Sequence, residues 1–151
     1  QRMIKKMTMR KNNYKTQAGF TLIEIMVVVI IIGLLSAMVV PNLFDKQAKA
    51  FQIKAGSDIR QMGGQLEMYR LDVFAYPSSS EGLGALVTNP GKSNWTGYLN
   101  KLPKDPWKND YQYQIPGTRN ANSYDLWSFG SDGVTGGEGA AKDIGNWDEA
   151  E

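Results

Sequence analysis

The stretch "FTLIEIMVVVIIIGLLSAMVV", residues 20–40, limits the fold before any other feature does. It runs for 21 residues and is apolar almost throughout. A helix needs about 20 apolar residues to cross a bilayer, so this segment cannot count toward a soluble core. Roughly 110 residues remain beyond it, enough for one small domain with a modest core. The stretch also contains Glu24. An ionisable group at membrane depth is costly and usually has a partner. The plainer alternative is a carboxylate reaching back to the interface in an ordinary signal anchor.

Charge is distributed unevenly around this segment. The first 19 residues carry Arg2, Lys5, Lys6, Arg10, Lys11 and Lys15 and no acid. The overall net charge is +2, and 11 basic against 15 acidic residues lie beyond the arm, a net of −4. Basic residues close to one end of a span set its orientation. The arm is therefore expected in the cytoplasm and the C-terminal part on the far side. A basic arm can also signal nucleic-acid binding, but beside a span the topological reading prevails and no nucleic-acid partner is expected. The chain has no cysteine and no histidine. That excludes Ser-His-Asp triads, thiol nucleophiles and His-ligated zinc, and an enzyme is not expected.

After Pro41 the pattern becomes amphipathic. Phe44, Ala48, Phe51, Ala55, Ile59, Met62, Leu66 and Tyr69 recur at steps of three or four, with Asp45, Lys46, Lys49, Lys54, Asp58, Arg60 and Glu67 mostly on other faces. This spacing predicts a helix with one buried stripe, ending near residues 74–76 because Pro77 and "SSS" follow. Joined to the span, it makes one element of about 50 residues, roughly 75 Å long. Its upper half packs on the domain, and its lower half needs lipid or other subunits. Proline cannot donate the helical hydrogen bond and glycine is a poor helix former. Gly33 and Pro41 thus bracket a weak span, either extended or simply kinked within an intact helix.

Residues 81–88 are expected to form a short helix, and Trp95, Tyr98, Leu102 and Trp107 to anchor the loops around it. "YQYQI" (residues 111–115) and "SYDLWSFG" (residues 123–130) alternate as strands on either side of a turn-rich segment, which reads as a hairpin. The expected class is α+β, one long helix laid across a small antiparallel sheet. The loop "FGSDGVTGGEGAAKDIGNW" (residues 129–147) has five glycines from Gly130 to Gly139 and contains Asp132, Glu138 and Asp143. Calcium takes six to eight oxygen ligands, and glycines let a loop turn its carbonyls inward. A solvated turn explains the same composition, and the spacing is not that of an EF-hand.

An ordinary secretory signal places its small-residue cleavage site after the apolar run. Here the junction Ala18-Gly19 precedes it, and "AGFTLIE" resembles the leader of type IV pilin-like proteins. The resemblance implies that prepilin peptidase cuts between Gly19 and Phe20 and methylates the amine of Phe20. That amine and the Glu24 carboxylate of another subunit can neutralise each other and favour one register between helices. Buried ion pairs are weak evidence for stability, so the pair reads as an assembly device. Gly33 and Pro41 also sit where this family has them.

Four ordered motifs, "YPSSSEGLGALV", "GYLNKLPKDPW", "YQY" and "DLWSFGSDG…DIGNW", narrow the resemblance to the major pseudopilins of the type II secretion system. The match covers essentially the whole chain after residue 18. It implies a type IV pilin-like fold with a leader (1–19), a transmembrane and assembly helix (20–41), an amphipathic helix (42–76) and a periplasmic globular domain (77–151). It also implies a structural calcium ion held by the side chains of Asp132 and Asp143 and the carbonyls of Phe129 and Val134. Glu138 has no assigned place. Lys142 stands where some members have a second acid, and Lys108 where the family usually has glycine.

The function so implied is that of the major structural subunit of a pseudopilus. It is a filament of copies of this chain that drives folded proteins across the outer membrane. Expected partners are prepilin peptidase, minor pseudopilins, the inner-membrane assembly platform with its ATPase, and membrane lipid before assembly. Such a subunit sits in the bacterial inner membrane as a single-pass protein, its domain periplasmic. The rival reading is a type IV pilus subunit for adhesion, motility or DNA uptake, which usually has a C-terminal disulfide loop. A chain without cysteine lacks one.

Overall fold

The computed structural model describes residues 18–148, and most of the basic arm, Arg2 through Lys15, lies outside the described residues. The chain divides into two compact units, Gln1–Val40 and Pro41–Glu151. Helix α1 (Leu22–Val73) contributes to both.

In the first unit α1 is built from Val, Ile, Leu and Met, and its large apolar side chains are exposed all round. By length and composition this helix can cross a membrane. Pro41 lies within α1, so residues 33–41 are helical here, as the intact-helix alternative requires.

In the second unit α1 presents Ala55, Ile59, Met62, Leu66 and Tyr69 to the core. These are the predicted stripe positions, and the larger side chains among them, Ile59, Met62 and Leu66, each contribute about 1.5–3 kcal/mol by burial. Two positions differ from expectation. Phe44 is 64% exposed, because the domain's cover over α1 starts only near Ala48 and Phe51. Asp58, assigned to the outer faces, is buried instead. Its carboxylate accepts a hydrogen bond from the Tyr111 hydroxyl at 2.8 Å and pairs with Lys54. Burial and this carboxylate together push the Tyr111 pKa up, so the phenol remains a donor. The helix stops at Phe74, whose φ of 66° is left-handed and whose N–H closes on the Arg70 carbonyl at 2.8 Å.

A 3₁₀ turn, Leu83–Leu86, replaces the short helix expected over residues 81–88. The loops around it are held as predicted. Trp95 Nε1 donates to the Ala85 carbonyl at 2.7 Å, Tyr98 donates to Asp72 at 2.9 Å, and Trp107 meets Phe51 edge-on at 5.8 Å. Strands β1 (Gln112–Gln114) and β2 (Asp125–Ser128) form the expected antiparallel hairpin, with Tyr113 opposite Leu126. A third strand, β3 (Ile144–Gly145), pairs with the other edge of β2 and was not expected from the sequence. Two residues are too few to show an alternating pattern.

The turn before β1 wraps around Asp105, which is buried. Asp105 Oδ1 accepts the N–H groups of Trp107 (3.1 Å) and Asn109 (2.7 Å), and Oδ2 accepts the Ser128 hydroxyl at 2.6 Å. This cap forces Lys108 into the left-handed region, with φ of 70°. A side chain there costs about 1–2 kcal/mol, while glycine costs less than about 1 kcal/mol in unfolded-state entropy. Lys108→Gly is therefore expected to stabilise the domain by about 0.5–1 kcal/mol. Thermal unfolding should show Tm raised by a few degrees, and a lowered Tm contradicts the account.

Candidate functional site

Two regions hold the residues singled out from sequence. The first is the start of α1. Thr21 precedes the first helical residue, and its Oγ1 accepts the Glu24 N–H at 3.3 Å. Glu24 Oε2 in turn accepts the Thr21 N–H at 3.3 Å. This is a reciprocal capping box, in which two otherwise orphaned helical donors are satisfied. Its signature in the sequence is the Thr-x-x-Glu that precedes the apolar run. Within a single chain, then, Glu24 has a local structural task. Phe20 is 82% exposed. A Cβ at Gly19 or Gly33 would have no neighbour within 4 Å. Nothing inside the described chain requires glycine at position 33, and alanine would favour the helix by about 1 kcal/mol.

The second region is the loop between β2 and β3. Both its ends are fixed. Trp127 pairs with Gly145 and Ser128 with Ile144. Asn146 clamps β2 further, donating its N–H to the Leu126 carbonyl (3.0 Å), accepting the Leu126 N–H (3.1 Å) and donating its side-chain amide to the Tyr124 carbonyl (2.9 Å). Between these ends the backbone folds tightly. At Gly130, with φ of 72°, a Cβ would lie 2.7 Å from the Lys142 carbonyl oxygen and 2.9 Å from that of Ala140. Only glycine fits. The loop is also tied to α1, where Gln52 Nε2 donates to the Gly139 carbonyl at 2.5 Å.

Asp143 is buried among these turns, and its Oδ2 accepts the Gly136 N–H at 2.9 Å. Its Oδ1 is buried and has no hydrogen-bond partner within the described residues. A buried carboxylate oxygen left without a donor costs about 1–3 kcal/mol or more, and a bound cation removes that cost. Asp132, by contrast, is exposed and accepts the Val134 N–H at 3.1 Å through Oδ1. Phe129 precedes the 3₁₀ turn Gly130–Asp132, and the Val134 side chain is exposed. Glu138 precedes the turn Gly139–Ala141 and makes no side-chain cap there. No cluster of three or more carboxylates occurs among the described residues. A metal at Asp143 would thus depend on backbone carbonyls, as a hard cation with oxygen ligands allows.

Beside the loop lies a cavity of about 220 Å³ bordered by Gln114, Arg119, Trp127, Phe129, Asp143 and Trp147. Asp125 organises its wall by accepting the N–H groups of Arg119 (2.8 Å) and Asn120 (3.0 Å). The Arg119 guanidinium lies 4.3 Å above the Trp147 ring. Of these residues only Asp143 and Phe129 had an expected role from the sequence; Gln114, Arg119, Asp125, Trp127 and Trp147 come together only when the sheet closes.

Comparison with known proteins places this geometry in context. Residues 42–147 match the family described as Type II secretion system (T2SS), protein G, and residues 14–40 match the prokaryotic N-terminal methylation motif. The type II secretion system core protein G of Pseudomonas aeruginosa is 51% identical over 140 residues, covering 89% of this chain and 97% of that protein. The protein of the same description from Vibrio cholerae is 50% identical over 138 residues, covering 88% and 93%. Among solved structures, the major pseudopilin from the type 2 secretion system of enterohaemorrhagic Escherichia coli is similar. It aligns with a TM-score of 0.60 and 42% identity over 71% of this chain and 95% of that one.

Proposed function

The chain belongs to the type II secretion system protein G family and is a membrane-anchored subunit of the secretion pseudopilus, and from that membership we propose how it is processed, assembled and stabilised. Prepilin peptidase cuts between Gly19 and Phe20 and methylates the new amine. The mature helix waits in the inner membrane with the globular domain in the periplasm. Copies then stack through residues 20–40 into the filament shaft, supported by minor pseudopilins and by the inner-membrane platform with its ATPase. The subunit performs no covalent chemistry of its own.

The observation that carries this reading is the bare apolar surface of α1 before Pro41, where none of the large side chains is buried. Soluble monomers rarely expose contiguous apolar patches beyond a few hundred Å², so this surface needs lipid or sister helices. The open space at Gly33 leaves room there for a neighbouring helix to approach closely.

The loop between β2 and β3 is the proposed calcium site. Asp143 supplies its unpartnered Oδ1, Asp132 a second carboxylate, and the carbonyls of Phe129 and Val134 add further oxygens. Bound there, calcium supplies charge neutralisation and cross-linking of the loop. This role suits a chain that has no cysteine for a disulfide.

The decisive test is genetic. In a secreting bacterium lacking its own major pseudopilin, this chain is expected to restore release of exoproteins into the medium. Mass spectrometry of the mature protein should find methylated Phe20 at its N-terminus. Accumulation of correctly processed protein while exoproteins stay in the periplasm would overturn the assignment.

A further inference from the structure

A cavity of about 280 Å³ beside the loop is bordered by Asp143, Lys142, Asp148, Arg119 and Trp147. It therefore combines a buried carboxylate oxygen that has no partner with two cationic side chains. Among the described residues neither cation forms an ion pair with Asp143. Each is engaged elsewhere. Lys142 Nζ lies 3.6 Å from Asp148 Oδ1, and the Arg119 guanidinium lies over Trp147. Lys142 is the immediate neighbour of Asp143 in sequence, and an ammonium placed on Oδ1 would occupy the position a metal ion needs.

We propose that Asp148 is a positioning residue that holds the Lys142 ammonium off Asp143 and so keeps Oδ1 open to a divalent cation. The inference rests on the calcium reading above and adds to it a residue that is not itself a ligand. Asp148 suits the task because it is anchored independently, its Oδ2 accepting the Gly145 N–H at 3.1 Å at the end of β3.

The test is isothermal titration of the full chain in detergent micelles with calcium chloride, using the wild type, Asp148→Asn, Lys142→Met and the double variant. An asparagine at position 148 retains an oxygen for the Gly145 N–H, and metal-free melting curves check that the fold is kept. Asp148→Asn is expected to weaken calcium binding roughly fivefold, the scale of losing one exposed ion pair. Adding Lys142→Met should return affinity to within about twofold of Lys142→Met alone, since the competing ammonium is then gone. Equal affinity in Asp148→Asn and wild type overturns the inference while leaving the calcium reading intact. A double variant as weak as Asp148→Asn also overturns it, because Asp148 would then act on the ion directly. Absence of binding in both wild type and Lys142→Met overturns the calcium reading and this inference with it.

Discussion

Glu24→Gln is expected to abolish filament assembly while leaving the subunit helical, membrane-inserted and processed. The capping box makes this outcome informative. Glutamine at the third helical position can still accept the Thr21 N–H through its amide oxygen, so the start of α1 survives. What it loses is the charge that, by the pilin-like resemblance, is expected to meet the Phe20 amine of a neighbouring subunit. Removing one partner of a buried ion pair leaves the other uncompensated, at about 3–5 kcal/mol. That corresponds to more than about a hundredfold in the association constant at each contact, repeated along the filament. Thr21→Val provides the control, since it removes the acceptor for the Glu24 N–H and costs the helix start about 1 kcal/mol. Sheared-filament assays and electron microscopy should show filaments for Thr21→Val and none for Glu24→Gln. The reverse pattern would reduce Glu24 to a helix cap.

Chelating calcium is expected to lower the Tm of the full chain in micelles by roughly 8–12 °C. A ligand that binds only the folded state stabilises it by about 2.7 kcal/mol at a hundred times its dissociation constant. For a unit the size of Pro41–Glu151, each kcal/mol moves Tm by about 4 °C. Asp143→Asn separates the ion from the loop's own hydrogen bonds, because asparagine can still accept the Gly136 N–H. This variant should melt like the metal-free wild type and show no response to calcium. Asp132→Ala should reduce the response as well, since it removes the other carboxylate. Identical melting of the wild type with excess calcium and with chelator would remove the ion from the account and leave the filament reading untouched.

The features legible in the sequence were those with a period or a composition. The apolar run, the stripe from Ala55 to Tyr69, the hairpin and the aromatic loop anchors all follow from side-chain spacing, and all are present. Phe44 continues the stripe's spacing yet is exposed, because periodicity marks a face of a helix without marking how far the domain covers it. Asp58 is polar by identity and buried by context, and its acceptance of the Tyr111 hydroxyl spans 53 positions. No local pattern encodes that pairing. At the loop, glycines and carboxylates allow a cation by composition, and the resemblance singles out Asp143 as an expected ligand. The structure adds the physical reason for attention to it, an oxygen without a donor. Arg119 and the adjacent Trp147 and Asp148 reach the same cavity from two separate segments, and only the closed sheet shows them together.

The pairing of β3 with β2 has a consequence for how the subunit can loosen. Bringing the ends of a flexible loop together costs entropy that grows with the logarithm of its length. Here Ile144, Gly145 and the Asn146 clamp have already closed residues 129–143, so an ion entering the loop has only the interior left to order. Opening is correspondingly local. On the proposal that this loop holds calcium, release of the ion is expected to loosen the loop as a local unit while β1, β2 and the helix stay folded. A subunit holding calcium in this way would adjust one face to the divalent-ion content of its surroundings without being dismantled.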